Sequence, residues 1–447
     1  MKKLELEKLI LFDNVRADAL AAKAARIFDA LPGDTSPVSA GEEPFRFYYE
    51  VQRGLLNARA DAAQADGDFT YWRRHVLRLV AEAENAFSLL SERGESDPGL
   101  LALAEAEMPT LRALCALDWQ RAAAVCGARN ACVAALLPPR ARREAAAGPA
   151  EGGGALASLD RILRMENDAE AALALAAHYA REACGAFARY TAFDWRGGLV
   201  GVERPDSVSF DDLIGYAPQK QKIIENTESF VSGRSCNNML LYGDRGTGKS
   251  SSVKALLNMF GSRGLRLVSL PKAELHDLPA LTEALAPRGS RFIVFIDDLS
   301  FEENETGYKS FKSALEGGVY AQPQNVLVCV TSNRRNIIKE VWREREDRDE
   351  INLNDAMQEK RSLADRFGLT VTFGAPSKAE YLDIVRGLAR RAGLAADDEF
   401  LHLALQWELR QSGRSGRVAR QFVKHMLSAK GTMQEPVAGC GCRRWDI

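Results

Sequence analysis

Two hydrophobic periods divide this chain. Up to residue 195, apolar positions recur every three to four residues in segments near 5–30, 45–64, 69–93, 99–135 and 155–190, where Ala, Leu, Glu and Arg dominate. That spacing lays apolar side chains along one stripe of a helix, and these residue types suit helical backbone. The pattern therefore predicts an all-helical module over 1–195. Breaks fall at 31–37, at Asp97, Pro98 and Gly99, and over 138–154, where Pro and Gly accumulate. The last is the longest and reads as a mobile loop. No fixed-period repeat is evident, so nothing supports a solenoid.

Residues 196–209, with Gly197, Gly198, Pro205 and Asp206, read as a linker. Beyond them the pattern changes to short apolar runs at 239–242, 265–270, 291–297, 325–331 and 369–373, separated by helical stretches. The runs show little polar alternation, as in strands buried on both faces. Strands alternating with helices predict an α/β core over 210–375, a parallel five-stranded sheet flanked by helices. Such sheets bind ligands beyond the carboxyl ends of their strands. The pattern turns helical again over 376–430, and 431–447 reads as a flexible tail.

Composition adds bounds. A chain of 447 residues calls for two or three domains, and 46% apolar with 27% charged residues is ordinary globular content. A net charge of −2 gives no support for a strongly basic nucleic-acid-binding face. No apolar run reaches membrane-span length, and the charged first residues do not resemble a signal peptide, so the expectation is a cytoplasmic protein. Cys115, Cys126, Cys132, Cys184, Cys236 and Cys329 lie in apolar contexts without zinc spacing and read as free thiols. Cys440 and Cys442 form the one close pair, in the tail. His75 and His178 read as packed or surface residues.

The chemistry is concentrated in 243–250, where Gly243, Asp244, Arg245, Gly246, Thr247, Gly248, Lys249 and Ser250 spell Gly-x4-Gly-Lys-Ser between a predicted strand and a predicted helix. Glycines let the backbone wrap an anion with its amide N–H groups pointing inward, and the helix that runs on through Ser251 adds its positive end. Lys249 is expected to reach the β- and γ-phosphates of a nucleoside triphosphate such as ATP, and the Ser250 hydroxyl to ligate Mg²⁺. The strand 291–297 ends in Asp297 and Asp298, one placed to hold Mg²⁺ through water, the other to orient or deprotonate the attacking water. The strand 325–331 is followed by Asn333, whose amide is expected at the γ-phosphate. A plain strand-end turn is the alternative there.

This order of motifs resembles the AAA+ superfamily of oligomeric ATPases over about 205–430. Residues 210–215 resemble the element that closes over adenine in that family, with Ile214 and Gly215 as base contacts. Asn333 matches its first sensor. The segment 360–367 resembles its arginine-finger box, which implies a homo-oligomer in which Arg366, or Arg361 as second choice, serves a neighbouring subunit. The segment 413–420 resembles its second sensor, with Arg417 first and Arg414 and Arg420 as runners-up. The likeness is nearest to a poorly characterised group of single-core bacterial ATPases, and looser to helicase loaders and replication initiators. Most of the superfamily carries Asp-Glu where this chain has Asp297 and Asp298. The shorter acid puts fast hydrolysis in question, though not nucleotide binding.

The resemblance implies an ATPase that drives a conformational change on a target chosen by the helical module. A nucleotide-dependent switch with slow turnover and a DNA-associated loader are the alternatives. A P-loop kinase would leave the sensor and finger segments unexplained. Residues 271–279 lack the aromatic loop of threading unfoldases, and the mixed-sign run 342–350 reads as a solvated helix face.

Overall fold

The computed structural model describes residues 4–31, 42–57, 70–125, 154–300, 311, 323–333, 366–411 and 413–433. The loop at 138–153, Cys126, Cys132, Arg361, the run 342–350, Cys440 and Cys442 lie outside the described residues. The chain divides into two compact units, Met1–Thr191 with Arg288–Ser290, and Ala192–Pro287 with Arg291–Ile447.

The described elements of the first unit are helical, the longest being Glu42–Asn57, Pro98–Cys115 and Asp168–Glu182. Side chains that take up free N–H groups cut the apolar windows into shorter helices. Asp18 accepts from Leu20 and Ala21 to open Ala19–Asp29. Asn85 and Ser88 satisfy each other's backbone N–H ahead of Ala86–Glu92. Each such cap contributes about 1 kcal/mol. Phe12, Trp72, Trp119 and Tyr179 are fully buried among these helices. The Trp72 indole donates to the Leu114 carbonyl at 2.8 Å and the Tyr179 hydroxyl to that of Val80 at 2.6 Å, so the bulk enters the core without stranding those polar tips. His75 lies 2.9 Å from the Asp18 carboxylate. His178 is buried, with neither ring nitrogen hydrogen-bonded among the described residues. Arg288 belongs to this unit too, its guanidinium 2.8 Å from the buried Glu92 carboxylate and over the Phe187 ring.

The second unit is built on a seven-stranded sheet of order β2-β1-β4-β5-β6-β3-β7. The strands are β1 (Ala192–Trp195), β2 (Leu199–Gly201), β3 (Met239–Gly243), β4 (Leu265–Ser269), β5 (Arg291–Ile296), β6 (Val326–Ser332) and β7 (Leu369–Phe373). All pairings are parallel except β1 with β2. The five central and β7-side strands correspond to the five apolar runs of the sequence, and β6 is buried at every position. The sheet is wider than the expected five strands. Residues 192–195, expected to close a helical module, form β1 beside β4, and part of the expected linker forms β2. The reason is local. Phe193 and Trp195 point to buried sites, and Gly197, at φ +67°, lets the chain reverse into a short antiparallel ladder.

Helices Ala217–Val231, Lys249–Phe260 and Leu278–Leu285 belong to this unit, followed after β7 by Lys378–Arg391, Asp398–Leu409 and Gly416–Met433, which form the lid. The last runs to Met433, three residues into the expected flexible tail. The lid has its own core around Tyr381, Ile384, Phe400, Ala404, Phe422 and Val423. The described free thiols are Cys115, Cys184, Cys236 and Cys329. Among the described residues no helix is long and apolar enough to cross a membrane.

Candidate functional site

β6 lies between β3 and β5, so the carboxyl ends of these three strands are adjacent, within about 10 Å at ordinary strand spacing. β3 delivers the loop 243–250. Its glycines have φ of +139° at Gly243, +75° at Gly246 and +98° at Gly248, values that other L-residues rarely adopt. Two of them also allow close approach. A Cβ on Gly243 would sit 2.0 Å from the Phe373 carbonyl oxygen, and the Asp244 N–H donates to that same oxygen at 2.9 Å. The Asp244 carboxylate then accepts from the Ala375 N–H at 2.7 Å, tying the loop to the chain leaving β7. A Cβ on Gly246 would sit 2.9 Å from the Ser415 hydroxyl. The Gly246 carbonyl accepts from the Arg417 N–H at 3.2 Å, so the loop also touches the first turn of the last lid helix.

Lys249 opens the helix Lys249–Phe260 and is only 6% exposed. Its ammonium donates to the carbonyls of Gly243 at 2.8 Å and Asp244 at 2.7 Å, and to Oδ1 of Asn333 at 3.1 Å. Burial lowers its pKa, against the opposing pull of Asp298, Asp244 and Asp297. The Asn333 amide donates in turn to Oδ1 of Asp298. Lys249, Asn333 and Asp298 thus form one chain of hydrogen bonds, and Asp298 occupies it with a left-handed backbone, φ +49°. Next to it, Ser250 Oγ donates to Asp297 Oδ1 at 2.6 Å.

A hydroxyl and a carboxylate this close are the hard oxygen donors that Mg²⁺ takes. No group of three or more His, Cys, Asp or Glu among the described residues could hold a metal by itself. A cation at Ser250 and Asp297 would therefore complete its shell with water and phosphate oxygens, the usual habit of Mg²⁺ at nucleotides. The glycine cradle, the buried ammonium and this oxygen pair fit a Mg²⁺-bound polyphosphate.

These groups face a cavity of about 730 Å³. Of the expected residues, Ile214, Arg245, Gly246, Thr247, Gly248, Lys249, Ser250, Ser251, Asp297, Asp298, Asn333 and Arg417 line it, and so does Arg420. Gly243, Asp244 and Gly215 frame it without lining it; Gly215, at φ +84°, makes the turn into the helix Ala217–Val231. Arg414 instead pairs with Glu408 at 3.2 Å. Arg366 is exposed ahead of β7 and does not line this cavity. The cavity's apolar lining includes Ile214, Tyr216, Phe373, Ile384 and Leu388. The Tyr216 hydroxyl donates to the Gly374 carbonyl at 2.8 Å and its ring lies 5.3 Å from that of Phe373.

Several participants carry no signal in the sequence. Lys220 donates to the Leu213 carbonyl at 2.6 Å and so holds the turn that carries Ile214. Ile384 and Leu388 come from the lid at helical spacing. Nothing local separates such residues from ordinary helix positions. Thr331 lies in the apolar run 325–331, where nothing distinguishes it from a plain strand residue.

A parallel sheet carrying a Gly-x4-Gly-Lys-Ser loop on β3, an aspartate pair after β5, an asparagine after β6 and a helical lid over the cavity defines an AAA+ P-loop ATPase core. The chain belongs to the family described as Protein of unknown function (DUF815), which matches residues 188–430. It is 29% identical over 114 residues to the AAA-ATPase At5g57480 of Arabidopsis thaliana, a match spanning 24% of this chain and 21% of that protein's length. Among solved structures, a point mutant of Thermotoga maritima RuvB aligns with 51% of this chain and 67% of its own at 16% identity and a TM-score of 0.37. The structure titled Thermotoga maritima RuvB Holliday junction branch migration motor aligns with 50% and 66% at 16% identity and a TM-score of 0.34.

Proposed function

We propose that the protein binds ATP with Mg²⁺ in this cavity and hydrolyses it to ADP and phosphate, using the change to act on a target engaged through its helical module. The reading rests on the convergence of Lys249, the Ser250–Asp297 pair, the Asp298–Asn333 pair and Arg417 on one cavity that also has apolar lining residues. In this reading the loop amides and Lys249 clamp the β- and γ-phosphates, and the base lies against Ile214, Tyr216 and the lid residues Ile384 and Leu388. Ser250 and Asp297 hold Mg²⁺, which, when bound, neutralises charge on the phosphate oxygens. Asp298 takes a proton from the attacking water while Asn333 orients it. Arg417 supplies charge from the lid of the same chain. Arg366, exposed and away from its own cavity, serves the site of a neighbouring copy in a homo-oligomer.

A nucleotide switch with slow turnover is the second reading. It is favoured by Asp298, a short acid whose Oδ1 is already held by Asn333. Steady-state phosphate release separates the two. Hydrolysis predicts appreciable release that Asp298→Asn lowers by about 10² or more, with ATP affinity within a few-fold of the parent. Release at background level in the folded parent protein, with nucleotide bound, would leave the switch.

A further inference from the structure

Thr331, the last residue but one of β6, bonds through its side chain to both aspartates that follow β5. It is 1% exposed, and its backbone is locked in place because its carbonyl accepts from the Leu299 N–H at 2.8 Å. Its hydroxyl donates to Asp297 Oδ1 at 2.5 Å and accepts from the Asp298 N–H at 2.9 Å. A hydroxyl has one proton to donate. Spending it on Asp297 turns the oxygen lone pairs toward the Asp298 amide, so both bonds fix one orientation.

The bonds to Asp297 are one-sided. Oδ1 receives Ser250 Oγ at 2.6 Å, Thr331 Oγ1 at 2.5 Å and the Asp298 N–H at 3.1 Å. Oδ2 takes none of the hydrogen bonds found among the described residues. Ser250 faces the cavity and can turn a lone pair toward a cation, whereas Thr331 is enclosed, only its edge reaching the cavity wall. The same hydroxyl grips the peptide between Asp297 and Asp298, next to the left-handed residue whose carboxylate meets Asn333.

We propose that Thr331 is a positioning residue for the cation site: its hydroxyl holds the Asp297 carboxylate by Oδ1, presents Oδ2 to the metal's water shell, and sets the backbone of Asp298. This rests on the nucleotide reading above. Groups that orient a metal's ligands typically change metal affinity by about 10- to 100-fold when removed. Thr331→Val keeps the shape and deletes the hydroxyl, and Thr331→Ser keeps the hydroxyl.

The test is a titration of the full chain with a fluorescent ADP analogue, in EDTA and across a MgCl₂ series. Thr331→Val is expected to raise the half-saturating Mg²⁺ concentration about tenfold or more, to change metal-free affinity less than twofold, and Thr331→Ser to restore the parent value. An unchanged Mg²⁺ dependence in Thr331→Val, an equal loss with and without Mg²⁺, or failure of Thr331→Ser to restore it would overturn the proposal. If the valine variant does not fold, as judged by thermal melting, Thr331→Ala is read by the same criteria. Absence of nucleotide binding by the parent protein would instead refute the nucleotide reading itself.

Discussion

Gly243 and Gly264 offer a comparison that isolates what close approach costs in this fold. Both have positive φ, +139° and +86°. Around Gly264 a Cβ meets nothing within 4 Å, while at Gly243 it falls 2.0 Å from the backbone oxygen of Phe373. Gly264→Ala therefore carries only the backbone penalty, about 1–2 kcal/mol. Gly243→Ala carries a backbone penalty at least as large, since φ +139° lies outside the left-handed well, plus displacement of β7's end from the loop. Moving Phe373 away weakens the Asp244 N–H bond to its carbonyl at 2.9 Å, about 1 kcal/mol, and crowding of packed backbone adds about 1–3 kcal/mol. The total for Gly243→Ala is about 3–6 kcal/mol, some 2–4 kcal/mol beyond Gly264→Ala. In a unit of this size each kcal/mol lowers Tm by about 2–4 °C, so the two variants should melt roughly 4–16 °C apart. Thermal denaturation of both, with a nucleotide titration at a temperature where both are folded, makes the measurement. Gly264→Ala should bind as the parent does and Gly243→Ala more weakly. Equal melting temperatures would refute the claim that the loop needs glycine there to touch β7.

Two further outcomes follow from the geometry. Burial pushes the pKa of His178 down to about 4 from an ordinary 6.5, so between these values the unfolded chain binds the proton and the folded one does not. Stability should then be full above pH 6.5 and fall as pH drops toward 4, by about 3 kcal/mol at the lower end. Urea unfolding of His178→Leu should show a flatter profile in that window, and an unchanged profile would contradict the buried neutral imidazole. At the lid, Arg417→Ala removes a cavity-lining cation and should weaken ATP affinity or phosphate release about tenfold or more. Arg414→Ala removes a side chain paired with Glu408 and should change either by less than about threefold; the reverse order in nucleotide titrations would reassign the lid arginine.

The sequence carried the site further than it carried the sheet. The phosphate loop, the aspartate pair and Asn333 are legible because each couples a residue type to a strand end, and strands buried on both faces write continuous apolar runs. β1 and β2 write no such run. They are four and three residues long, too short to display a period, and their glycine-containing turn reads as linker. The apolar lining of the cavity is hidden differently. Ile384 and Leu388 belong to the lid's apolar stripe, and only folding shows that part of that stripe faces the cavity. Thr331 reads as any β-branched strand residue, since its hydroxyl's partners lie just after a strand more than thirty positions away in the chain. The ordering of Arg417 ahead of Arg414 and Arg420 rests on resemblance; in the structure Arg417 and Arg420 both line the cavity, while Arg414 pairs with Glu408.

Isothermal titration calorimetry of the full chain with ADP and MgCl₂ bears most directly on the account's foundation, the grip of main-chain amides and the Lys249 ammonium on a polyphosphate. Saturable binding near one nucleotide per chain is expected, weakened about 100-fold by Lys249→Ala with the melting temperature retained. Folded protein that takes up no adenine or guanine nucleotide, or a Lys249→Ala variant that binds as tightly as the parent, would contradict it.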